Sequence, residues 1–404
     1  MVTYPSDWDV VELGSKCNIT SSKRVFEREW KKSGIPFLRT RDIASFHSGE
    51  EQKDKLYISE ETYQEKIASS GEPHKGDLLV TGVGTIGLPY LIDTDDRIYF
   101  KDGNILWMKK SEAFFPQWLY LQFLSKEIQK QITDGSGFTT VGTFTIKNAK
   151  KLNVPMPSVP EQAAVAETLS TFDTYIDDLA ELIEKQRGIR DGAVKDLVSG
   201  KDRLDGFTDE WHESALTDIG TFLKGASLSK ADIASSGTPF ILYGELYTTY
   251  NEVTYKAFRR TRKTVDEKYY SRVGDVIIPT SGETAEEIAT STCVMIPGVI
   301  LAGDLNIYRT VKMDGRFLSF AINHVMNQKI LETAQGISIV HIHAKELGKL
   351  IVKYPSIPEQ TAIADILQAM DEEIEALEIE RDKMIQIREG AMDDLLTGRV
   401  RLKV

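Results

Sequence analysis

Cysteine is nearly missing from this chain. Cys17 and Cys293 are the only two in 404 residues, which argues against a disulfide framework and a cysteine-rich zinc site; both read as core residues, and the low usage fits a reducing compartment. No apolar run approaches the ~18 residues of a membrane-spanning helix. The opening Met1 to Val10, MVTYPSDWDV, lacks the basic and then apolar stretches of a secretory signal. The expected location is the cytoplasm. An excess of positive charge is also lacking: 49 Lys+Arg stand against 61 Asp+Glu, a formal net charge of −12. Phosphate neutralisation needs Lys and Arg, so a free-standing DNA clamp is not expected from the composition. No G-x-x-x-x-G-K-[ST] motif is present, so no nucleotide-driven motor is evident.

What remains is an ordinary globular composition, 41% hydrophobic and 27% charged. At ~150 residues per domain it suggests two to three domains. An internal repeat organises them. Residues 154–204 (VPMPSVPEQAAVAETLSTFD…) and 352–402 (VKYPSIPEQTAIADILQAMD…) align without a gap at an offset of 198, with 22 of 51 positions identical. The identities include Pro157/Pro355, Ser158/Ser356, Pro160/Pro358, Glu161/Glu359, Gln162/Gln360, Asp173/Asp371, Gly192/Gly390, Leu197/Leu395 and Arg203/Arg401. The preceding blocks share only scattered anchors: Trp8/Trp211, Pro36-Phe37/Pro239-Phe240, Gly76-Asp77/Gly274-Asp275 and Lys147/Lys345. A duplication with two diverged blocks follows.

Each shared block reads as one long helix. Ser158 and Ser356 can cap it, with Glu161 and Glu359 completing a capping box, and proline is tolerated in the first turn. Val165, Leu169, Phe172, Ile176, Leu179 and Ile183 then fall in heptad steps, as do Ile363, Leu367, Met370, Ile374 and Leu377. Gly200 and Gly398 are plausible stops. About 40 residues make a helix of ~60 Å, whose apolar stripe needs a partner. The other copy is the obvious one. The expected fold is α+β: two mixed α/β domains separated by two long antiparallel helices forming an intramolecular coiled coil, with pseudo-twofold symmetry. The competing expectation is an ordinary bundle core. The boundaries are residues 1–153, 154–204, 205–351 and 352–404.

In the variable blocks, strand-like runs recur at 35–39, 77–81, 105–108, 238–243, 275–278 and 306–311. Helical runs follow at 116–131 and 315–332, then polar glycine-bearing stretches at 134–142 and 335–336. Gly82-Val83-Gly84-Thr85-Ile86-Gly87 matches a dinucleotide fingerprint, which needs a helix starting within it. Pro89 disfavours one, so a strand–turn–strand loop is expected. His341-x-His343 shares a strand face but lacks further ligands, and no metal site is expected.

At this point the residues carry a family likeness. PMPSVPEQ…LSTFD and YPSIPEQ…LQAMD resemble the Glu-Gln boxes that open the conserved regions of type I restriction–modification DNA specificity subunits. Ser199-Gly200-Lys201-x-Arg203-Leu204 and Thr397-Gly398-Arg399-x-Arg401-Leu402 resemble the ends of those regions. Pro5-Ser6-x-Trp8…Leu13-Gly14, Gly34-Ile35-Pro36-Phe37 and Lys75-Gly76-Asp77-Leu78-Leu79 resemble parts of that family's target recognition domains. The likeness covers essentially the whole chain. It implies a non-catalytic subunit whose two recognition domains each read half of a bipartite double-stranded DNA target. The helices would set the half-site spacing and dock two methyltransferase (modification) subunits, with Glu161, Gln162, Glu359, Gln360 and the stripe residues as partner or coiled-coil positions. Those partners would bind S-adenosylmethionine and methylate adenine at N6. Restriction subunits would add ATP- and Mg-dependent translocation and cleavage, and this chain would hold no cofactor. The Asn/Asp-Pro-Pro-aromatic box of adenine methyltransferases is absent, the chain having no Pro-Pro. Half-sites one turn apart lie ~34 Å from each other, which a ~60 Å helix can span.

DNA contacts call for cations, hydroxyls and glycine turns near loops. The candidates are Lys31, Lys32, Arg39, Arg41, Thr81, Gly84, Thr85, Ser136, Thr139 and Thr140 in the first block. In the second they are Tyr243, Ser281 and the run Arg259, Arg260, Arg262, Lys263. Three rival readings are a specificity subunit of another restriction system, a helical scaffold that does not bind DNA, and a nucleotide-dependent enzyme using the glycine loop. The charge divides by position: the repeats 154–204 and 352–404 hold −9, the two variable blocks only −3. The acidity thus sits on the elements expected to meet protein, and the isolated chain should hold DNA weakly.

Overall fold

The fold was analysed in a computed structural model that describes residues 3–48, 54–135, 142–282, 285–333 and 340–403. The chain divides into two compact units. One joins residues 1–178 to 380–404, and the other is the continuous stretch 179–379. The two long helices, Val159–Ser199 and Ile357–Thr397, each contribute one part to each unit.

In the first unit a four-stranded sheet runs in the order Ile19–Thr20, Ile105–Met108, Leu78–Thr81, Pro89–Leu91. The runs Leu78–Thr81 and Ile105–Met108 are buried throughout and uniformly apolar apart from Thr81, as expected of strands covered on both faces. A second sheet runs Trp30–Lys31, Leu56–Ile58, Ile35–Leu38, Tyr99–Phe100. Asp9–Glu12 pairs antiparallel with Asn153–Met156 and ties the start of the globular part to its end.

The second unit repeats this plan. One sheet runs Gly220–Lys224, Leu305–Thr310, Asp275–Pro279, Thr292–Val294 and adds an edge strand, Val253–Thr254. The other runs Arg259–Thr261, Thr238–Leu242, Ile300–Ala302. His212–Ala215 pairs with Ile351–Tyr354 just as Asp9–Glu12 pairs with Asn153–Met156. The helical runs read from sequence are present but broken. Ser125 separates Pro116–Leu124 from Lys126–Gly135, and a π-helical turn, Ile322–Met326, interrupts the second run between Gly315–Ala321 and Asn327–Thr333.

Both long helices start and stop where the sequence indicates. The capping box is only half made. Glu161 N–H donates to Ser158 Oγ at 3.4 Å, but the Glu161 carboxylate is taken by Arg401 and Trp8 instead of turning back. Gly200 (φ +74°) and Gly398 (φ +72°) adopt the left-handed conformation that ends a helix at least cost. Each lies against a tryptophan, Trp211 and Trp8 respectively.

Within each unit the helix parts run antiparallel, as their ion pairs record. In the first unit Glu161 meets Arg401 (2.9 Å), Asp173 meets Arg388 (2.9 Å) and Tyr175 donates to Glu380 (2.6 Å). In the second, Arg190 meets Asp371 (2.8 Å) and Arg203 meets Glu359 (2.6 Å). Shifted by 198, the two ion pairs of the first set become those of the second: Glu161/Glu359, Arg401/Arg203, Asp173/Asp371 and Arg388/Arg190 are the same positions of the repeat. Each repeat therefore pairs with the other copy, not with itself. Of the stripe residues, Val165, Leu169, Leu179, Ile183, Ile363 and Leu367 are buried, while Phe172, Ile176, Met370, Ile374 and Leu377 are half-buried.

Candidate nucleic-acid interface

In the second unit, Arg259–Thr261 runs antiparallel to Thr238–Phe240 at the sheet edge. Beside it opens a groove of about 1000 Å³, whose lining includes Lys224, Lys230, Tyr243, Glu245, Arg259 and Asp304. Two sequence candidates, Tyr243 and Arg259, thus meet in one concavity. Ser281 is adjacent in sequence to Thr280, which also lines it, and Tyr247 Oη donates to the Ser281 carbonyl at 2.6 Å. The four cations of the run are exposed. Arg259 Nε donates to Glu245 Oε1 (3.0 Å), Arg260 Nη1 to the Gly237 carbonyl (3.0 Å) and Arg262 Nη2 to Ser236 Oγ (3.4 Å), while Lys263 Nζ stands 3.9 Å from Asp232.

The candidates of the first unit do not gather in this way. Lys31 and Lys32 are exposed. Arg39 is turned inward: Nε and Nη2 grip the carboxylate of buried Asp42 at 2.8 Å each, and Nη2 also reaches the Asp54 carbonyl. The cause is a helix, Thr40–Ser48, whose first turn carries Asp42. Arg41 stays exposed, 3.6 Å from Asp54. Thr81 is buried and braces the glycine turn, its hydroxyl donating to the Thr85 carbonyl and accepting from Leu88 N–H. Gly84 (φ +74°) and Thr85 are exposed near the tip of that turn. The turn joins Leu78–Thr81 to its antiparallel neighbour Pro89–Leu91, so no helix follows the glycines. Ser136, Thr139 and Thr140 lie outside the described residues.

The expected partner positions are more internal than a docking face would be. Glu161, Gln162, Glu359 and Gln360 are all buried. Gln162 accepts from Phe115 N–H (2.8 Å) and donates to the Pro157 and Ala113 carbonyls; Gln360 accepts from Asp314 N–H (2.9 Å) and donates to the Pro355 carbonyl. Each Glu-Gln pair thus ties a helix start to its own globular part and to the end of the other helix. Residues passed over in the sequence prove central here. Arg190 bonds Asp371 and, at 2.9 Å, Glu252, which His324 Nε2 contacts at 2.5 Å. Burial pushes the Glu252 carboxyl up, but the His324 hydrogen bond and the Arg190 charge outweigh it and hold it at about 2. Burial leaves the Asp371 carboxyl raised. Identity at 190 and 388 was the signal that could have found this arginine.

Among the described residues, no three His, Cys, Asp or Glu side chains gather as metal ligands, and no helix is long and apolar enough to cross a membrane.

The type I restriction modification DNA specificity domain matches this chain twice, over residues 5–186 and 208–385. The chain belongs to that family. A putative type I restriction enzyme specificity subunit of Methanocaldococcus jannaschii is 24% identical over 99% of this chain and 95% of its own length. A putative specificity subunit of Haemophilus influenzae is 31% identical, over only 43% of this chain and 42% of the relative. The fold agrees with the crystal structure of a type I restriction–modification S subunit from M. genitalium (TM-score 0.56, 16% identity, 98% and 96% of the two chains). It also agrees with an HsdS subunit from Thermoanaerobacter tengcongensis (TM-score 0.55, 15% identity, 98% of each). The groove and the basic run therefore belong to a type I DNA specificity subunit, and both lie within the second match, 208–385.

Proposed function

We propose that the two recognition domains, 1–153 and 205–351, each read one half of a split double-stranded DNA target. In this reading the helical regions 154–204 and 352–404 form an antiparallel coiled coil that arose by duplication, fix the half-site spacing and dock two modification subunits. The observation that carries it is the reciprocal pairing of repeat residues across two units of like strand order but unlike surface. Equivalent scaffolds hold a groove with a cluster of arginines in one unit and a glycine turn in the other. Catalysis, S-adenosylmethionine, ATP and Mg belong to the partner subunits, with restriction subunits completing a cytoplasmic complex. Co-purification with a modification subunit followed by methylome sequencing tests this. N6-methyladenine at one split motif is expected, and replacing residues 1–153 by another member's domain should change one half of it. An active assembly that methylates no split motif refutes the proposal.

A further inference from the structure

We propose that Arg259 reads a guanine in the half-site presented to the second recognition domain, with Glu245 as its positioning residue and Arg260 and Arg262 as phosphate contacts. The proposal rests on the DNA-recognition reading above.

The basic run looks uniform in sequence, but the strand sorts it. Side chains alternate faces along a strand, so Arg259 shares a face with buried Thr261 and leans into the groove, while Arg260 points the other way. Glu245 is itself buried, and both of its oxygens are engaged: Oε1 accepts from Arg259 Nε at 3.0 Å and Oε2 from Leu242 N–H at 3.1 Å. A carboxylate fixed at both oxygens holds one edge of the guanidinium plane. Among the described residues, the Nη1 and Nη2 groups of Arg259 have no hydrogen-bond partner, and its side chain is half exposed. The result is a planar pair of donors, pre-aimed outward.

Such a fork fits either two phosphate oxygens or guanine O6 and N7. The groove decides between them. Glu245 and Asp304 line it together with the hydroxyls of Tyr243, Thr248 and Thr280. Lys224 and Lys230 also line the groove, but a phosphate on the Arg259 fork would stand beside the Glu245 carboxylate. A base-pair edge offers acceptors to Arg259 and the cytosine amino group to a carboxylate such as Asp304. Arg260 and Arg262, by contrast, touch only a neutral carbonyl and a hydroxyl; with no carboxylate on them, their charge is available to the backbone.

The test uses the specificity subunit assembled with its modification subunits and a DNA library randomised across both half-sites, read by methylation. Arg259→Lys keeps the charge and removes the fork. It should lower the preference for guanine at one position of one half-site by roughly 5- to 100-fold and leave the salt dependence unchanged. Glu245→Gln should broaden the same position without weakening overall binding, which a merely structural role would not do. The double change Arg260→Gln, Arg262→Gln should weaken every sequence alike and lower the salt slope by about 2. The proposal is overturned if Arg259→Lys leaves the guanine preference intact, or lowers all sequences equally together with the salt slope. It is also overturned if the double change shifts a base preference. Should Glu245→Gln fail to assemble, Arg259→Lys at its half-exposed position decides alone. A wild-type complex that methylates no split motif removes the recognition reading and this proposal with it, an outcome distinct from a split motif that ignores Arg259.

Discussion

Arg190→Met and Arg388→Met remove the same residue from the two repeats, yet they should not cost the same. The Arg190 side chain is 10% exposed and holds Asp371 and Glu252, the latter 13% exposed and joined to His324. Removing the guanidinium strands a buried carboxylate, a loss of 3–5 kcal/mol in comparable cases. Asp371 is about one third exposed and can be rehydrated, so ~3 kcal/mol, the lower end, is expected. Arg388 meets Asp173, whose side chain is half exposed, and an exposed pair of that kind contributes at most ~1 kcal/mol. Hydrogen exchange on the full chain reads the two sites separately. Arg190→Met should speed exchange of Val253–Thr254 and Gly315–Ala321 on the order of 100-fold, while Arg388→Met should change Pro116–Leu124 less than ~10-fold. Adding Glu252→Gln to Arg190→Met should recover part of the loss by removing the stranded charge. Equal costs at the two arginines, or no recovery, would refute the burial argument.

Glu252 also sets a pH dependence. Its carboxyl is held at about 2, below the ordinary 4.5, so its contribution is present above ~4.5 and lost as pH falls toward 2. That is on the order of 3 kcal/mol, and Glu252→Gln should flatten the acid limb of a stability–pH titration over that window. Gly398→Ala should cost more than Gly200→Ala, ~2 against ~1 kcal/mol in denaturant melts. Both glycines have positive φ, but a Cβ at 398 would come within 2.5 Å of Pro5 Cγ, whereas at 200 the nearest atoms are at 3.2 Å. Trp8→Phe should destabilise by ~1 kcal/mol more than Trp211→Phe, because Trp8 Nε1 donates to Glu161 while buried Trp211 Nε1 has no partner among the described residues.

Much of the scaffold was legible because it is local or periodic. Ser158, the heptad steps and Gly200 mark a helix by rules that act within a few residues, and the uniformly apolar 105–108 reads as a buried strand. The reciprocal pairing was only half legible. The repeat exposed Asp173/Asp371 and Arg203/Arg401 as identical positions, but pairing between copies is a tertiary fact. The site was harder. Arg39 looked like a loop cation because it closes the strand-like run 35–39, and the short helix Thr40–Ser48 just after it supplies the Asp42 that captures it. Thr81 looked available on a glycine loop, yet its hydroxyl closes the turn from inside. The division of labour within 259–263 depends on strand phase and on Glu245, fourteen residues away in sequence.

The way the chain is shared between the units bears on how it is made. The second unit is one continuous stretch, 179–379, and can close as soon as its last residues emerge. The first unit begins earlier but finishes last. Val165 and Leu169 belong to the same apolar cluster as Met392, Leu395 and Leu396. Those partners follow about 225 residues later, or ~11–45 s at usual rates of synthesis. During that interval the nascent helix lacks those partners, so slowed elongation between residues 179 and 379 should promote aggregation more than the same delay after residue 397.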